Sequence, residues 1–192
     1  PGDIKYKDVN GDGVVDDNDR DIIGNPNPDF TYGFQTKVSW KSLSLSASFN
    51  GVQGRDILNV GNRYNNTPGT KSNNVTRKAF QNMWTDENPS NLYPKSTFVV
   101  QNMVMDRYVE DGSYLRCSDI TLSYVLPAKW TNKIGIKNTS VYASVKNAFV
   151  ITDYSGYDPE VNSFAFDGLR PGVDMNSYPT PRSFVFGLNL TF

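Results

Sequence analysis

The chain has 192 residues and carries 19 Lys and Arg side chains against 20 Asp and Glu, a net charge of −1. This balance excludes the basic surface that nucleic-acid binding requires, so no nucleic-acid partner is expected. Histidine is absent, which excludes histidine-based catalysis and metal ligation, and a single cysteine, Cys117, excludes an intrachain disulfide. No apolar run reaches the ~20 residues of a membrane-spanning helix. The first residues also lack the pattern of a secretory signal, which is typical of a cytoplasmic protein or of a chain whose native N-terminus lies upstream; features described below favour the second.

The first recognisable motif is an acidic loop at residues 8–19, which reads DVNGDGVVDDND. Oxygen-bearing groups occupy the ligand positions of an EF-hand-type calcium loop, and Gly13 stands where that loop turns sharply. We therefore expect one structural Ca²⁺ here. The other interpretation is an acidic surface turn without metal, and the last position holds Asp instead of the usual bidentate Glu. The expected ligands are Asp8, Asn10, Asp12, the carbonyl of Val14, Asp16 and Asp19.

Two amphipathic strands follow, at residues 32–40 and 43–50. In both segments apolar or aromatic side chains alternate with polar ones, which is typical of a strand with one apolar and one polar face. Only Lys41 and Ser42 lie between the two segments, so the sequence predicts a tight hairpin.

The rest of the chain alternates long polar connections with further strands. Segment 55–112 is rich in Asn, Pro and Gly, and within it residues 74–84 have apolar side chains at helical spacing, which predicts a short helix. Alternation with period two then returns three times, and Pro127 ends the first of these stretches. The further predicted strands are 113–126, 138–151 and 182–192.

Strand length and loop placement favour a membrane barrel over a soluble sandwich. The predicted strands have ~9–13 residues, which is the length that a tilted strand needs to cross a bilayer. If the chain ends in the periplasm, the long segments 1–30, 55–112 and 152–181 all fall on the outer side. The short connections 41–42 and 127–137 then fall on the periplasmic side, as in outer-membrane barrels. Aromatic residues at strand ends fit the two membrane-interface girdles: Trp40, Phe49, Tyr114, Tyr124, Phe149 and Phe192.

The most distinctive stretches are GDIKYKDVNGDGVVDDNDRDIIGNPNPDFTYGF (2–34), DGSYLRCSDITLSYVLP (111–127), YSGYDPE (154–160) and YPTPRSFVFGLNLTF (178–192). These stretches resemble the C-terminal region of SusC/RagA-type TonB-dependent outer-membrane transporters. The resemblance extends over nearly the whole chain. The chain departs from the family pattern at Cys117, which stands where the family usually has an apolar or basic residue.

The resemblance implies a complete protein with a barrel of about 22 strands and a plugged lumen, located in the cell outer membrane. It would import glycans or peptides, be energised by TonB through an N-terminal part, and be capped by a SusD-like surface lipoprotein. The plug and the remaining barrel strands would precede residue 1. Independently of the family, five strands cannot close a barrel, and hydrocarbon does not tolerate an open sheet edge. The expected fold is all-β: an antiparallel transmembrane β-barrel segment of about five C-terminal strands with long extracellular loops.

This expectation divides the chain into an extracellular loop with the calcium motif at 1–29 and barrel strands at 30–192, with outer loops 55–112 and 152–181. No nucleophile–base pair is evident, so the sequence indicates no enzyme. Aromatic residues in the outer loops could contact an oligosaccharide or peptide substrate, although packing within the loops is the other interpretation. The candidate substrate contacts are Trp84, Tyr93, Tyr154 and Tyr157.

Charged residues predicted to face the lumen could line a substrate path or simply pair across strands. They are Lys37, Asp119 and Lys146. Strict alternation also places Cys117 on this inward face, where we expect an inert, packed thiol.

The competing hypothesis is a secreted soluble β-sandwich that binds carbohydrate and carries a dockerin-like calcium loop. Residues 8–23 fit either protein. The last strand separates the two hypotheses, because an alternating strand that ends on Phe192 is typical of an outer-membrane assembly signal. In the barrel, one set of side chains should face lipid: Phe34, Val38, Leu45, Phe49, Leu122, Val145, Phe184, Phe186 and Leu188.

Overall fold

A computed structural model describes residues 1–67, 74–96, 104–131, 136, 138–160 and 162–191. In chain order its helices and strands are β1 (Phe30–Trp40), β2 (Leu43–Gln53), β3 (Asp56–Asn59), α1 (Val60–Asn66), α2 (Arg77–Asn82), β4 (Val109–Asp111), β5 (Tyr114–Val125), α3 (Ala128–Thr131), β6 (Asn138–Thr152), β7 (Val173–Asp174) and β8 (Ser183–Thr191). Short 3₁₀ turns lie at Asp17–Asp19 and Asp106–Tyr108. Within these described ranges, none of the helices combines the length and apolar character needed to span a membrane.

The chain divides into two compact units. Unit 1 consists of Pro1–Asn27, Asp56–Asp111 and Ser155–Ser177, and unit 2 consists of Pro28–Arg55, Gly112–Tyr154 and Tyr178–Phe192. The predicted outer loops 55–112 and 152–181 thus supply most of unit 1, together with the N-terminal segment. The sequence-based division at residue 29 kept those loops with the strands, because nothing in the local sequence shows that distant loops fold together.

Unit 2 is a five-stranded antiparallel sheet with the order β1-β2-β5-β6-β8. All five predicted strands are confirmed to within a few residues, although Phe192 lies outside the described residues. The predicted hairpin is also confirmed, and Lys41 takes a φ of 55° in its turn. Strands β1 and β8 are the edges of the sheet, which is therefore not closed.

The register of the sheet gathers the apolar side chains on one face. Leu45 of β2 pairs with Leu122 of β5, and Phe34 pairs with Phe49, whose ring stacks on it at a centroid distance of 4.5 Å. All nine residues predicted to face lipid share this face. Phe186 is 78% exposed, whereas a sandwich would have packed it in a closed core. The structure therefore favours the barrel segment over the sandwich.

A β-bulge in β5 places Cys117 on the opposite face from the one predicted. The register shifts between Cys117 and Asp119, so that Asp119 pairs with Ser48 whereas Cys117 pairs with Phe49. An extra residue reverses the alternation of faces, and the predicted inward orientation of Cys117 is therefore wrong. Cys117 lies in the row of Phe49 and Phe149, whose ring centroids are 6.4 Å apart. It is fully buried on the apolar face, where it packs as a small hydrophobic side chain.

The long connections join the sheet at one end. Phe30 at the start of β1 pairs with Gln53 at the end of β2, and Tyr114 at the start of β5 pairs with Thr152 at the end of β6. The segments before β1, between β2 and β5, and after β6 therefore all meet the sheet at this end. The hairpin of β1 and β2 and the connection after Val125 lie at the other end, as predicted, although part of 127–137 lies outside the described residues.

Unit 1 contains a small three-stranded sheet in which β3 pairs antiparallel with β4 and parallel with β7. The predicted helix at 74–84 is present but shorter, as α2, and the side chain of Thr76 caps it by accepting from the backbone N–H of Ala79 at 3.1 Å. Neither the small sheet nor α1 was predicted, because their segments are short and mostly polar. The buried core of unit 1 includes Ile57, Val60, Ala79, Met105 and Tyr108.

One carboxylate connects the chain segments of unit 1. Glu110 accepts hydrogen bonds from the side-chain amides of Asn59 and Asn62, both at 3.0 Å. It also accepts from the backbone N–H and the hydroxyl of Ser155, both at 2.9 Å. Hydrogen bonds to a charged acceptor are stronger than neutral ones. Glu110 therefore holds β3, α1, β4 and the start of the third segment together.

Candidate functional site

The acidic loop at 8–19 is wound around its own side chains. Asp8 accepts from the backbone N–H groups of Gly11 and Gly13, at 2.6 and 2.8 Å. Further along, the side chain of Asn10 accepts from the N–H of Asp12 at 2.8 Å. Gly13 has a φ of +84°, a conformation that glycine adopts at little cost. The sharp turn predicted at Gly13 is therefore confirmed.

Asp19 closes the loop by binding both of its ends. Its carboxylate accepts from the N–H of Val9 at 2.7 Å and from the N–H of Asp16 at 2.8 Å. The hydrogen bond from Asp16, followed by that from Val9, lowers the pKa of Asp19, because both stabilise the charged form. Ionised Asp19 therefore makes stronger hydrogen bonds to the two ends of the loop than the neutral acid would.

The side chains of the loop are chemically suited to a hard cation, because carboxylate, amide and carbonyl oxygens are the ligands that Ca²⁺ takes. A carboxylate that accepts one hydrogen bond per oxygen retains further lone pairs for an ion. In the described part of the chain, however, no three Asp, Glu, His or Cys side chains gather closely enough to hold a metal. Calcium binding by this loop stays a prediction.

Two of the predicted substrate contacts meet at a cavity in unit 1. Trp84 and Tyr93 line an open cavity of about 980 Å³ together with residues of the acidic loop. The backbone N–H of Trp84 donates to the carbonyl of Tyr93 at 3.0 Å. The indole of Trp84 lies against Gly2, where a Cβ atom would approach a ring carbon to 2.5 Å, so glycine is needed for this contact. Trp84 and Tyr93 thus form an aromatic part of the cavity wall.

The other two candidates do not line this cavity. Tyr157, in unit 1, is 72% exposed and offers its ring to solvent. Tyr154, in unit 2, is only 5% exposed, and its backbone N–H donates to the hydroxyl of Thr152 at 3.2 Å. A buried ring presents little surface to a ligand. The substrate role of all four residues stays a prediction, and the cavity brings together only Trp84 and Tyr93.

The polar face of unit 2 carries a hydrogen-bonded charge cluster. The ammonium of Lys146 on β6 lies 2.6 Å from the carboxylate of Asp119 on β5, which confirms the pairing across strands. The hydroxyls of Thr121 and Ser144 each donate to Asp119 at 2.8 Å. Lys37 lies on the same polar face. Sequence reasoning missed Thr121 and Ser144, although their place in the polar half of the alternation could have indicated them.

Comparison with known proteins gives consistent relatives, although no family model matches the chain. TonB-dependent receptor P26 of Formosa agariphila is 35% identical over the whole chain, which covers 20% of that receptor. TonB-dependent receptor SusC of Bacteroides thetaiotaomicron is 34% identical over 97% of the chain, which covers 17% of SusC. The chain thus spans about a fifth of the length of these relatives.

The chain is also similar in structure to solved proteins. The RagAB peptide importer in its open–open state is similar with a TM-score of 0.74 and 30% identity, over 89% of this chain and 18% of the other. A second structure, of the RagAB peptide transporter, gives a TM-score of 0.75 and 29% identity over the same shares. The predicted fold class, part of an antiparallel transmembrane β-barrel, is confirmed by this similarity.

Proposed function

Because this chain belongs to the SusC/RagA family of TonB-dependent receptors and fits their C-terminal part, we propose that it forms strands and outer loops of an outer-membrane transporter that imports glycans or peptides. TonB energises the transport through the N-terminal part of the complete protein, and a SusD-like surface lipoprotein caps the barrel. A plug and further barrel strands complete the structure of the transporter. The observation that carries the proposal is a sheet with one exposed apolar face and one polar face, whose long connections all join one end.

The polar face supports transport over catalysis. Asp119, Lys146 and Ser144 satisfy one another, which makes a hydrophilic wall rather than a group of reactive side chains. The interior of outer-membrane transporters is polar for the same reason, since a hydrated solute must pass. The cavity beside Trp84 and Tyr93 supports a role for these two rings in contacting the solute as it arrives, because aromatic side chains supply large, rigid contact areas.

The test measures uptake of labelled oligosaccharides and peptides by cells that make the intact receptor containing this chain. We expect saturable uptake that is lost without TonB. A variant with Trp84→Ala and Tyr93→Ala should lower uptake at limiting substrate by roughly tenfold, given the usual contribution of such rings. The matched control is Phe166→Ala, which truncates a ring that is 91% exposed in the same unit. Uptake that persists without TonB, or recovery of the receptor in the soluble fraction, would contradict the proposal.

We also propose that the acidic loop binds one structural Ca²⁺ through Asp8, Asn10, Asp12, the carbonyl of Val14, Asp16 and Asp19. The ligand spacing and the turn at Gly13 support this, as do the hydrogen bonds that join the two ends of the loop. A cation would offset the mutual repulsion of carboxylates held at close range. The ion braces the loop and takes no part in chemistry.

Calorimetric titration of the intact receptor with calcium tests this proposal. Asp12→Ala removes a ligand and should weaken binding at least about tenfold, since the coordination number falls. Asp17→Ala is the matched control, because Asp17 lies in the same loop but pairs with Arg20 at 2.7 Å instead of occupying a ligand position. Barrel assembly should survive both substitutions. The absence of calcium-dependent heat in the unsubstituted receptor, or equal losses in both variants, would overturn the calcium site.

A further inference from the structure

The end of the sheet with the short connections carries a group of aromatic and basic side chains. We call it the lysine rim and define it as Trp40, Lys41, Tyr124, Lys129 and Trp130. The two connections are neighbours, because the backbone N–H of Val125 donates to the carbonyl of Ser42 at 2.8 Å. The β1–β2 turn and the end of β5 are therefore neighbours in unit 2, and α3 follows the end of β5 directly in the chain.

The rim begins where the apolar face ends. Trp40 pairs with Leu43, which in turn pairs with Tyr124, so both aromatic side chains belong to the last row of that face before the turn. Trp40 is 69% exposed and Trp130 is 67% exposed. Exposed Trp and Tyr at the edge of an apolar band are typical of the level of lipid headgroups, because each ring has an apolar body and a polar tip.

An ammonium group is fixed at this level. The Nζ atom of Lys41 lies 4.8 Å from the centroid of the Trp40 ring, a cation–π contact. The stem of such a lysine lies along apolar surface while the charge stays in the polar layer. Lys129 adds an exposed second cation in α3, next to Trp130. The rim thus presents positive charge directly beside side chains suited to acyl chains.

The charge of the rim differs from that of the rest of the molecule. Unit 1 has 17 acidic and 10 basic residues, whereas unit 2 has 3 acidic and 9 basic residues. In sequence, the connections 41–42 and 126–137 contain four lysines and no acidic residue. Two of these lysines, Lys133 and Lys137, lie outside the described residues, and the rim does not depend on them. Among the described residues, these two connections therefore carry the cations Lys41 and Lys129 and no acidic side chain.

We propose that the lysine rim binds the headgroups of anionic phospholipids. The proposal rests on the proposed function in two respects, since it requires the apolar face to contact lipid and the long connections to face outward. Lys41 and Lys129 pair with the headgroup phosphate and its net negative charge, while Trp40, Tyr124 and Trp130 lie at the junction of headgroup and acyl chain. The occupant is a phospholipid of the periplasmic leaflet, because the rim lies at the sheet end opposite the long outer connections.

The experiment compares spin-labelled phosphatidylglycerol with spin-labelled phosphatidylcholine at the surface of the intact receptor in bilayers, by the fraction of motionally restricted lipid. The unsubstituted receptor should prefer phosphatidylglycerol. Attraction to an anionic surface corresponds to about fivefold per lysine, so Lys41→Gln with Lys129→Gln should lower the preference by roughly 25-fold. Trp40→Leu should give a smaller decrease, because it removes the ring under Lys41. Lys78→Gln, at an exposed position of α2 in unit 1, is the control and should have no effect.

Any of three results would contradict lipid binding by the rim. They are equal retention of both lipids by the unsubstituted receptor, an unchanged preference in the double variant, and an equal loss of preference in Lys78→Gln. If the double substitution lowered only the retention of lipopolysaccharide, this end of the sheet would lie at the outer leaflet. That result would also overturn the proposal. Uptake is measured in the same samples. If the receptor takes up substrate normally but shows no lipid preference, only the lipid-binding proposal is rejected. If the receptor is absent from the outer membrane, the proposed function is rejected.

Discussion

Phe166 in unit 1 and Phe186 in unit 2 are both highly exposed, at 91% and 78%, but their surroundings differ. Phe166 follows no alternating pattern and lies in a turn next to Asp167. Phe186 pairs with Ala143, which pairs with Leu122, so its exposure is shared by neighbouring strands. An exposed apolar residue is ordinary in a soluble structure. A continuous apolar face across adjacent strands instead indicates contact with lipid.

The two units also differ in what holds them together. Unit 1 has buried apolar side chains such as Ile57 and a carboxylate, Glu110, that ties its segments together. In unit 2 every residue of β1, and nearly every residue of β8, is exposed, so the backbone ladder and the surroundings must stabilise the sheet. Unit 1 thus buries an apolar core, whereas unit 2 exposes an apolar face. Four substitutions test this difference, in order of decreasing effect.

Ile57→Ala should destabilise unit 1 by about 2–5 kcal/mol, because it leaves a cavity at a fully buried position. Hydrogen exchange in the intact receptor would detect this as faster exchange in β3 and β4, with the strands of unit 2 unchanged. Ile22→Ala is the matched control, since Ile22 is 90% exposed in the same unit. Similar exchange in both variants would mean that unit 1 has no core of its own.

Phe186→Arg should hinder insertion of the barrel by about 2–4 kcal/mol, the cost of a cation near the bilayer midplane. Phe186 belongs to the row of Leu45 and Leu122, which lies inside the apolar face, one row from that of Trp40 and two rows from that of Phe49. Folding of the intact receptor into bilayers at graded denaturant measures the effect. Phe166→Arg should change stability by less than about 0.5 kcal/mol. An equal, small effect of both substitutions would show that Phe186 does not contact lipid.

Glu110→Gln should destabilise the segments of unit 1 locally by about 1–3 kcal/mol. An amide in place of the carboxylate presents N–H groups to Ser155, Asn59 or Asn62, which are themselves donors. Hydrogen exchange at Ser155 should accelerate, whereas Glu87→Gln, at an exposed position of the same unit, should leave it unchanged. Unchanged exchange at Ser155 would show that Glu110 does not hold the segments together.

Asp19 should give the smallest effect, confined to low pH. Its pKa is lowered in the folded loop, so its contribution is complete above the ordinary value of about 3.9 and is lost as the pH falls through the lowered value. In calcium-free buffer, exchange of the Val9 amide, corrected for its intrinsic rate, should therefore accelerate only below about pH 4. Asp19→Asn should remove this acid step, and Asp21→Asn should preserve it. Persistence of the step in Asp19→Asn would assign it to another group.

The long strands of unit 2 were predictable from the sequence, whereas the small sheet of unit 1 was not. All five long strands were predicted because alternation is a local property, which each strand displays within its own residues. The small sheet of unit 1 was not predictable in this way, because it pairs Leu58 with Val173, far along the chain. Its strands are too short for a period to appear.

The candidate sites divide similarly. The calcium motif is contiguous, so its ligands and the turn at Gly13 could be named from spacing alone. The meeting of Trp84 with Tyr93, and the separate positions of Tyr154 and Tyr157, depend on how the loops pack. Loop packing brings together residues that share no period, and no local pattern records it.

The strand pattern, the apolar and polar faces, the acidic loop and the family could all be predicted from the amino-acid sequence. The orientation of Cys117 could not, because the bulge before Asp119 depends on pairing with β2 and β6. Nor could the sequence show that Glu110 binds Asn59, Asn62 and Ser155, or that Lys41 lies over Trp40. The physical reason is the same in each case. Alternation and ligand spacing are properties of one segment, whereas registers, buried hydrogen bonds and ring contacts exist only between segments that folding brings together.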